Sequence, residues 1–156
     1  GWVCINTQHA NAVAFEALQN GTIPSLSGFS LTKREVTFGD SRFDIYAERG
    51  DENWFIEVKS VTLKLNGEAS FPDSVTSRGL KHLYTLAEAK KQGYRVAMLY
   101  VVMRSDVDFF RPAREIDPEY AAALREVADQ GVKVFVVGTT ITPEGITIDK
   151  ELPFEI

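Results

Sequence analysis

The eight residues "VAMLYVVM" at Val96–Met103 form the longest uninterrupted apolar run of the chain. A membrane-crossing helix needs about 20 such residues. Eight suit a strand buried on both faces of a sheet, and no membrane partner is expected. The helical pattern before this strand favours parallel pairing with an earlier one, because a parallel pair requires a crossover. In a chain of 156 residues, long enough to bury a proper core, this points to one α/β domain over residues 1–156.

Periodicity supplies the other elements. The stretch "QHANAVAFEALQN" at Gln8–Asn20 is rich in helix formers, with Thr7 placed to cap its start and Gly21 its end. Ile23–Ser30 has the Pro, Gly and Ser content of a loop. Extended runs at Arg34–Phe38, Arg42–Glu48 and Trp54–Val61 follow, joined by the turn sequences "GDS" and "RGDEN", so an antiparallel meander is expected. Between Thr76 and Gln92, Leu80, Leu83 and Ala87 recur at helical spacing, and Gly93 stops the helix. Asp117–Gly131 reads as another helix, "VKVFVVG" at Val132–Gly138 as a strand, and "TTITPEGITI" as a closing hairpin turning at Pro143. The expected fold is a mixed central sheet flanked by helices.

Composition narrows the setting. The single cysteine, Cys4, excludes an internal disulfide and a cysteine-based zinc cluster, so a reducing cytoplasm is the expected compartment. A net charge of −5 argues against nucleic acid as partner, because phosphates need Lys and Arg. The distribution of charge weakens that objection. Between Thr76 and Arg95 stand Arg78, Lys81, Lys90, Lys91 and Arg95 against the single acid Glu88.

Chemistry concentrates in "FIEVKSV" at Phe55–Val61. Alternation along a strand places Glu57 and Lys59 on one face and Ile56 and Val58 on the other. An E-x-K triplet alone carries little information, and Glu88-Ala89-Lys90 is a helical decoy whose residues do not share a face. Context separates the two. Asp44 lies on the preceding strand, one turn away, and can stand beside Glu57 across the ladder. Two carboxylates in a half-buried place repel unless something positive lies between them. Asp44 and Glu57, with the Val58 carbonyl, offer hard oxygen ligands to Mg²⁺ or Mn²⁺, and water can complete the shell. Lys59 would then orient or activate a water, or neutralise charge building on a phosphate. The alternative is a structural ion pair with a spare acid.

Glu16 borders the packing side of the first helix, alongside Ala12 and Val13. It is either a further acid aimed at the metal or a solvated glutamate. On the helix after Thr76, Arg78, Lys81, His82 and Thr85 form a polar face opposite the leucines. That face is either plain solvated surface or a contact for nucleic acid. Gly79 within it fits a close approach by another backbone, nucleic acid being one candidate. Other schemes fail: His9 and His82 fall in no metalloprotease pattern, and no phosphate-cradling glycine loop occurs.

An acid-bearing helix, a meander with Asp and then E-x-K, and a basic helix together resemble the PD-(D/E)xK nuclease superfamily. The sequence resembles more closely the sugar fermentation stimulation protein family, SfsA. The resembling residues are "INT" with Asn11, "SRFD" at Ser41–Asp44, "IEVKSVTL" at Ile56–Leu63, "FPD" at Phe71–Asp73 and "TSRGLKHL" at Thr76–Leu83, with "RSD", "EIDPEYA" and "TPEGI" in matching order later. Phe43 stands where the superfamily name has Pro. The resemblance implies a restriction-endonuclease-like core with Asp44, Glu57 and Lys59 as its catalytic residues and Glu16 as the helix acid. It implies DNA binding, a link to maltose metabolism, and, in full-length members, an OB-like domain preceding the nuclease-like one, which this chain is expected to lack. Two functions follow: a Mg²⁺- or Mn²⁺-dependent nuclease acting on DNA or RNA, or a non-catalytic DNA-binding regulator of sugar use. Arg78, Lys81 and His82 are the expected nucleic-acid contacts. A homodimer would allow both strands of a duplex to be cut, although no residue specifies one.

Overall fold

A computed structural model of the chain describes residues 7–156, with side chains from His9 onward. Cys4, the cap by the Thr7 side chain and the "INT" motif fall outside the described side chains. The order is α1 (Thr7–Asn20), β1 (Leu31–Phe38), β2 (Ser41–Arg49), β3 (Glu52–Val61), β4 (Leu63–Leu65), β5 (Glu68–Phe71) and α2 (Ser77–Lys91). Then come β6 (Arg95–Val102), β7 (Phe110–Pro112), α3 (Pro118–Asp129), β8 (Lys133–Thr142) and β9 (Gly145–Glu151). A six-stranded sheet runs β1-β2-β3-β6-β8-β9. Its left half is the antiparallel meander, its centre the parallel set β3-β6-β8, and its right edge the antiparallel β8–β9 hairpin.

Strand β6 holds the position its apolar run demanded. Trp54 through Val61 pair in parallel with Arg95 through Val102, and β8 covers the other edge of β6. Its side chains divide between two cores. Val96, Met98, Tyr100 and Val102 face the layer holding Leu83 and Leu86 of α2 and Leu124 and Val127 of α3. Ala97, Leu99 and Val101 face the layer holding Ala10, Ala14, Ala17 and Leu18 of α1. A strand without a polar face is stable only with helices on both sides, which is what α1 against α2 and α3 provides.

Three features departed from the pattern of the sequence. A second sheet, β4-β5-β7, projects beside the first. Its β4–β5 hairpin turns at Asn66-Gly67, both with positive φ (53° and 83°), as an Asn-Gly turn of this length requires. The strands are three and four residues long, too short for alternation to register. β1 begins at Leu31 rather than Arg34, because Ser30 and Leu31 already pair with Glu48 of β2.

Gly79 is the third. It is buried, and a Cβ there would lie 2.8 Å from Thr76 Cγ2 and 3.3 Å from Tyr120 Cε2. The close approach is therefore internal, from the α2 cap and from α3, and not from nucleic acid. Thr76 Oγ1 accepts the Gly79 N–H at 2.9 Å, and Asp117, which caps α3 through the Tyr120 N–H, accepts the Thr76 N–H at 3.0 Å. The two helix starts are stitched together there. Gly79→Ala is expected to destabilise the fold by about 1–2 kcal/mol, since overpacking outweighs the gain of about 1 kcal/mol in helix propensity. A denaturant melt checks this; a stabilised variant would show that the cap yields freely.

Candidate functional site

Between the β1–β2 hairpin and α2 lies a cavity of about 790 Å³ lined by Asp44, Glu57, Arg78, Lys81 and His82, with Asn11 of α1 at its edge. Its floor is built where the β2–β3 ladder stops. Main-chain pairing ends at Ile45↔Ile56. Beyond it the two acids replace the missing main-chain bonds reciprocally: the Asp44 N–H donates to Glu57 Oε1 at 2.9 Å, and the Val58 N–H donates to Asp44 Oδ2 at 2.8 Å. Each carboxylate thus secures the other's strand.

The same point is kinked on the β1 side. The β1–β2 ladder skips the pair Glu35 and Asp44, and Glu35 has φ of 56°, a left-handed conformation that costs a non-glycine residue about 1 kcal/mol or more. One consequence is a change of facing. Ile45 packs on the α1 side, yet Phe43, which simple alternation would place with it, packs into the α2 side. The kink turns Asp44 out of the ladder and toward β3.

Because N–H and C=O of one strand residue point to the same edge, the Val58 carbonyl also faces the side where the ladder has ended. Two carboxylates and this carbonyl make an all-oxygen donor set that fits a hard divalent cation retaining several waters. Among the described residues no three His, Cys, Asp or Glu side chains converge as a complete cage. The donor set is therefore partial by construction, as Mg²⁺ sites commonly are.

Charge in this cavity is strained. Glu57 is 2% exposed; burial, then the nearby Asp44 charge, push its carboxyl up to about 7. Burial likewise raises Asp44, opposed by the Val58 N–H and the Lys59 charge. Lys59 Nζ stands 4.0 Å from Glu57 Oε2, and burial lowers its pKa against the pull of Glu57 and Asp44. His82 completes the group, with Nδ1 2.8 Å from Lys59 Nζ and 3.1 Å from Glu57 Oε2. Burial first, then Lys59 and Arg78, push the imidazole down to about 4.

Of the residues singled out in the sequence, Asp44, Glu57, Lys59 and His82 come together; Arg78 and Lys81 line the larger cavity with Asp44, Glu57 and His82, and Lys59 lines an adjoining cavity of about 330 Å³ that shares Asp44, Glu57, Arg78 and His82. Arg78 and Lys81 are exposed and have no ion-pair partner among the described residues. Glu16 is not brought to the site. It is exposed and lines a small cavity with Ile146, Thr147 and Ile148 of β9. The α1 side chain that reaches the acids is Asn11, whose Nδ2 donates to Asp44 Oδ1 at 3.4 Å. Glu16 lies five residues further on, about 140° around the helix, so the two face different strands. Asn11 was recognisable only as part of a motif, since an amide carries no charge signal. Asp73 is exposed and outside the cavity lining.

A mixed sheet with one helix on one face and two on the other, bearing Asp on β2 and E-x-K on β3, defines the restriction-endonuclease-like, PD-(D/E)xK class of α/β domain. Sequence comparison agrees: the family model described as sugar fermentation stimulation protein RE domain matches residues 8–145. The chain belongs to the sugar fermentation stimulation protein (SfsA) family. It is 48% identical over 153 residues to the sugar fermentation stimulation protein homolog of Pseudomonas syringae pv. syringae (strain B728a), covering 96% of this chain and 65% of that one. With the homolog of Magnetococcus marinus it shares 46% identity over 156 residues, 99% of this chain and 67% of the relative. It thus spans about two thirds of the length of such relatives. The solved structure of Pyrococcus furiosus SfsA in complex with Ca²⁺ superposes with a TM-score of 0.91 at 28% identity, over 99% of this chain and 67% of that one. No helix among the described residues is long and apolar enough to cross a membrane.

Proposed function

We propose that this domain is a divalent-metal-dependent nuclease, hydrolysing phosphodiester bonds of DNA or RNA in the cavity between the β1–β2 hairpin and α2. The observation that carries it is the meeting of Asp44, Glu57 and Lys59 on one floor, two oxyanions and an amine beneath a basic rim. Asp44, Glu57 and the Val58 carbonyl would hold Mg²⁺ or Mn²⁺, and the Ca²⁺ in the P. furiosus relative supports a divalent ion of this kind. When bound, such an ion supplies Lewis-acid polarisation of the scissile phosphate and lowers the pKa of water.

The chain's own residues do the rest. Arg78 and Lys81 grip phosphates flanking the scissile bond, and neither has an ion-pair partner among the described residues to compete for it. Lys59 Nζ donates to the attacking water or to a non-bridging oxygen, offsetting negative charge as the P–O bond breaks. Water attacks phosphorus and releases one proton to solvent, the bond to the leaving oxygen breaks, and a proton passes to that oxygen from solvent.

Replacing Arg78 and Lys81 together by alanine is expected to weaken binding of a short oligonucleotide and to flatten its salt dependence by about 1.4–1.8 in the log–log slope. Titration by fluorescence anisotropy at several salt concentrations reads both. An unchanged slope would mean that the strand lies elsewhere.

A second reading is favoured by the relatives' names, which refer to sugar fermentation and not to hydrolysis. Here the fold binds DNA as a regulator of sugar use, including maltose, without cutting. It predicts salt-sensitive binding that Asp44→Ala and Lys59→Ala barely weaken, and no scission with any cation. In either case the remainder of the relatives' length is where an OB-like domain would add affinity that a net charge of −5 reduces.

A further inference from the structure

Lys59 is a long, flexible side chain asked to hold an ammonium group at one point of a cavity. Its stem could place Nζ over a range of several ångströms, and a misplacement of about 1 Å can cost 100-fold in rate. Something must fix it. The carboxylate of Glu57 is 4.0 Å away, beyond a good hydrogen bond. Asp44 and Arg78 act on Lys59 through their charge alone, with no direct hydrogen bond to its amine. The close partner is His82, at 2.8 Å from Nζ to Nδ1.

A lysine ammonium can only donate. With Lys59 as the ammonium, Nδ1 is the acceptor of this bond, which places the ring hydrogen on Nε2 and makes Glu57 Oε2, 3.1 Å from the same nitrogen, a contact and not a hydrogen-bond partner. The imidazole is held in turn by its helix. His82 is half-buried on α2 between Leu83, which packs in the core, and Lys81 at the rim. The start of α2 is secured by Thr76 and by Asp117 of α3. A chain of fixed contacts thus runs from the two helix caps to the amine on β3.

We propose that His82 is the positioning residue for Lys59, its Nδ1 accepting the Nζ proton so that helix α2 sets where the amine stands over the acids of the β2–β3 floor. This assigns His82 a role distinct from the phosphate contacts of Arg78 and Lys81, and its activity arm rests on the nuclease reading above.

The test compares His82→Phe, which keeps a flat ring but no acceptor, with His82→Asn, whose Oδ1 sits close to the position of Nδ1. On the full chain labelled with ¹⁵N-lysine and free of divalent ions, the Lys59 ammonium resonance, identified by its loss in Lys59→Met, reports the bond through slowed exchange with water. The expected result is a resolved signal in wild type and His82→Asn and its loss in His82→Phe. With Mg²⁺ or Mn²⁺ and an oligonucleotide, His82→Phe is expected to lower kcat by about 100-fold at unchanged KM, and His82→Asn to recover most of it. A Lys59 signal that persists in His82→Phe, or is missing from wild type, overturns the proposal. So does a variant that raises KM alone, which would make His82 a phosphate ligand. If His82→Phe fails to fold, His82→Ala against His82→Asn carries the same comparison. The resonance requires no cleavage, so a protein without nuclease activity would refute the nuclease reading and leave the Lys59–His82 bond still tested.

Discussion

Lys59→Ala is expected to lower metal-dependent strand cleavage by about 10³-fold, the loss typical of removing a preorganised charge from a transition state. The same variant is expected to bind Mg²⁺ or Mn²⁺ at least as tightly as wild type. Lys59 is a positive charge beside Glu57 and Asp44, so removing it takes away a competitor for the two carboxylates. Asp44→Ala separates the roles the other way. It deletes one oxygen donor and leaves the Val58 N–H without its acceptor, so cation binding itself is expected to vanish from a calorimetric titration. The pair therefore distinguishes a residue that acts on the reacting phosphate from one that holds the ion. Cleavage surviving both changes would remove this floor from the chemistry. Because the Val58 N–H loses a partner, Asp44→Asn is the companion control: its amide oxygen keeps that bond while the charge is gone.

Glu57→Gln is expected to stabilise the protein, and by an amount that grows with pH. With its carboxyl at about 7 in the fold and near 4.5 when free, the folded chain holds a proton that the unfolded chain has released between those values. Stability from this group is present at pH 4.5 and is lost as pH rises to 7. At pH 8 the buried charge costs the wild type on the order of 3 kcal/mol, and its removal should raise Tm by about 10 °C in a chain of this size. His82 slopes in the opposite sense. Its pKa is depressed to about 4, so stability falls as pH drops from 6.5 to 4. Between pH 4.5 and 6.5 the two effects oppose and the wild-type profile is flattened. Glu57→Gln leaves the His82 slope alone, so its Tm should climb through that interval. Thermal melts in chelator from pH 4.5 to 8 measure the difference; an offset equal at every pH would contradict a carboxyl destabilised by its burial. A site that costs stability without its ion, and regains it on binding, is the pattern expected of charges gathered for function.

How much of this was legible beforehand differs by residue. Glu57 and Lys59 could be paired on one face because alternation along a strand is a property of the covalent chain. The nearness of Asp44 followed from one short turn between two strands, and the doubly buried β6 from its unbroken apolar run. Gly79 misled, because a glycine in a helix signals a close approach without saying from which side; here it is Thr76 and Tyr120. Glu16 misled because charge drew attention to it while the neutral Asn11 holds Asp44.

Local pattern was enough for the elements, their order, the meander and the Glu57–Lys59 face, all governed by periodicities of 2 and 3.6 residues and by turns a few residues long. It took the packed fold to bring His82 of α2 to Lys59 across 23 positions, to let Asp44 and Glu57 exchange bonds where the ladder ends, and to kink β1 at Glu35 opposite Asp44. Those meetings depend on where α1 and α2 seat on the two cores and on which rotamers the packing permits, and no local spacing encodes either.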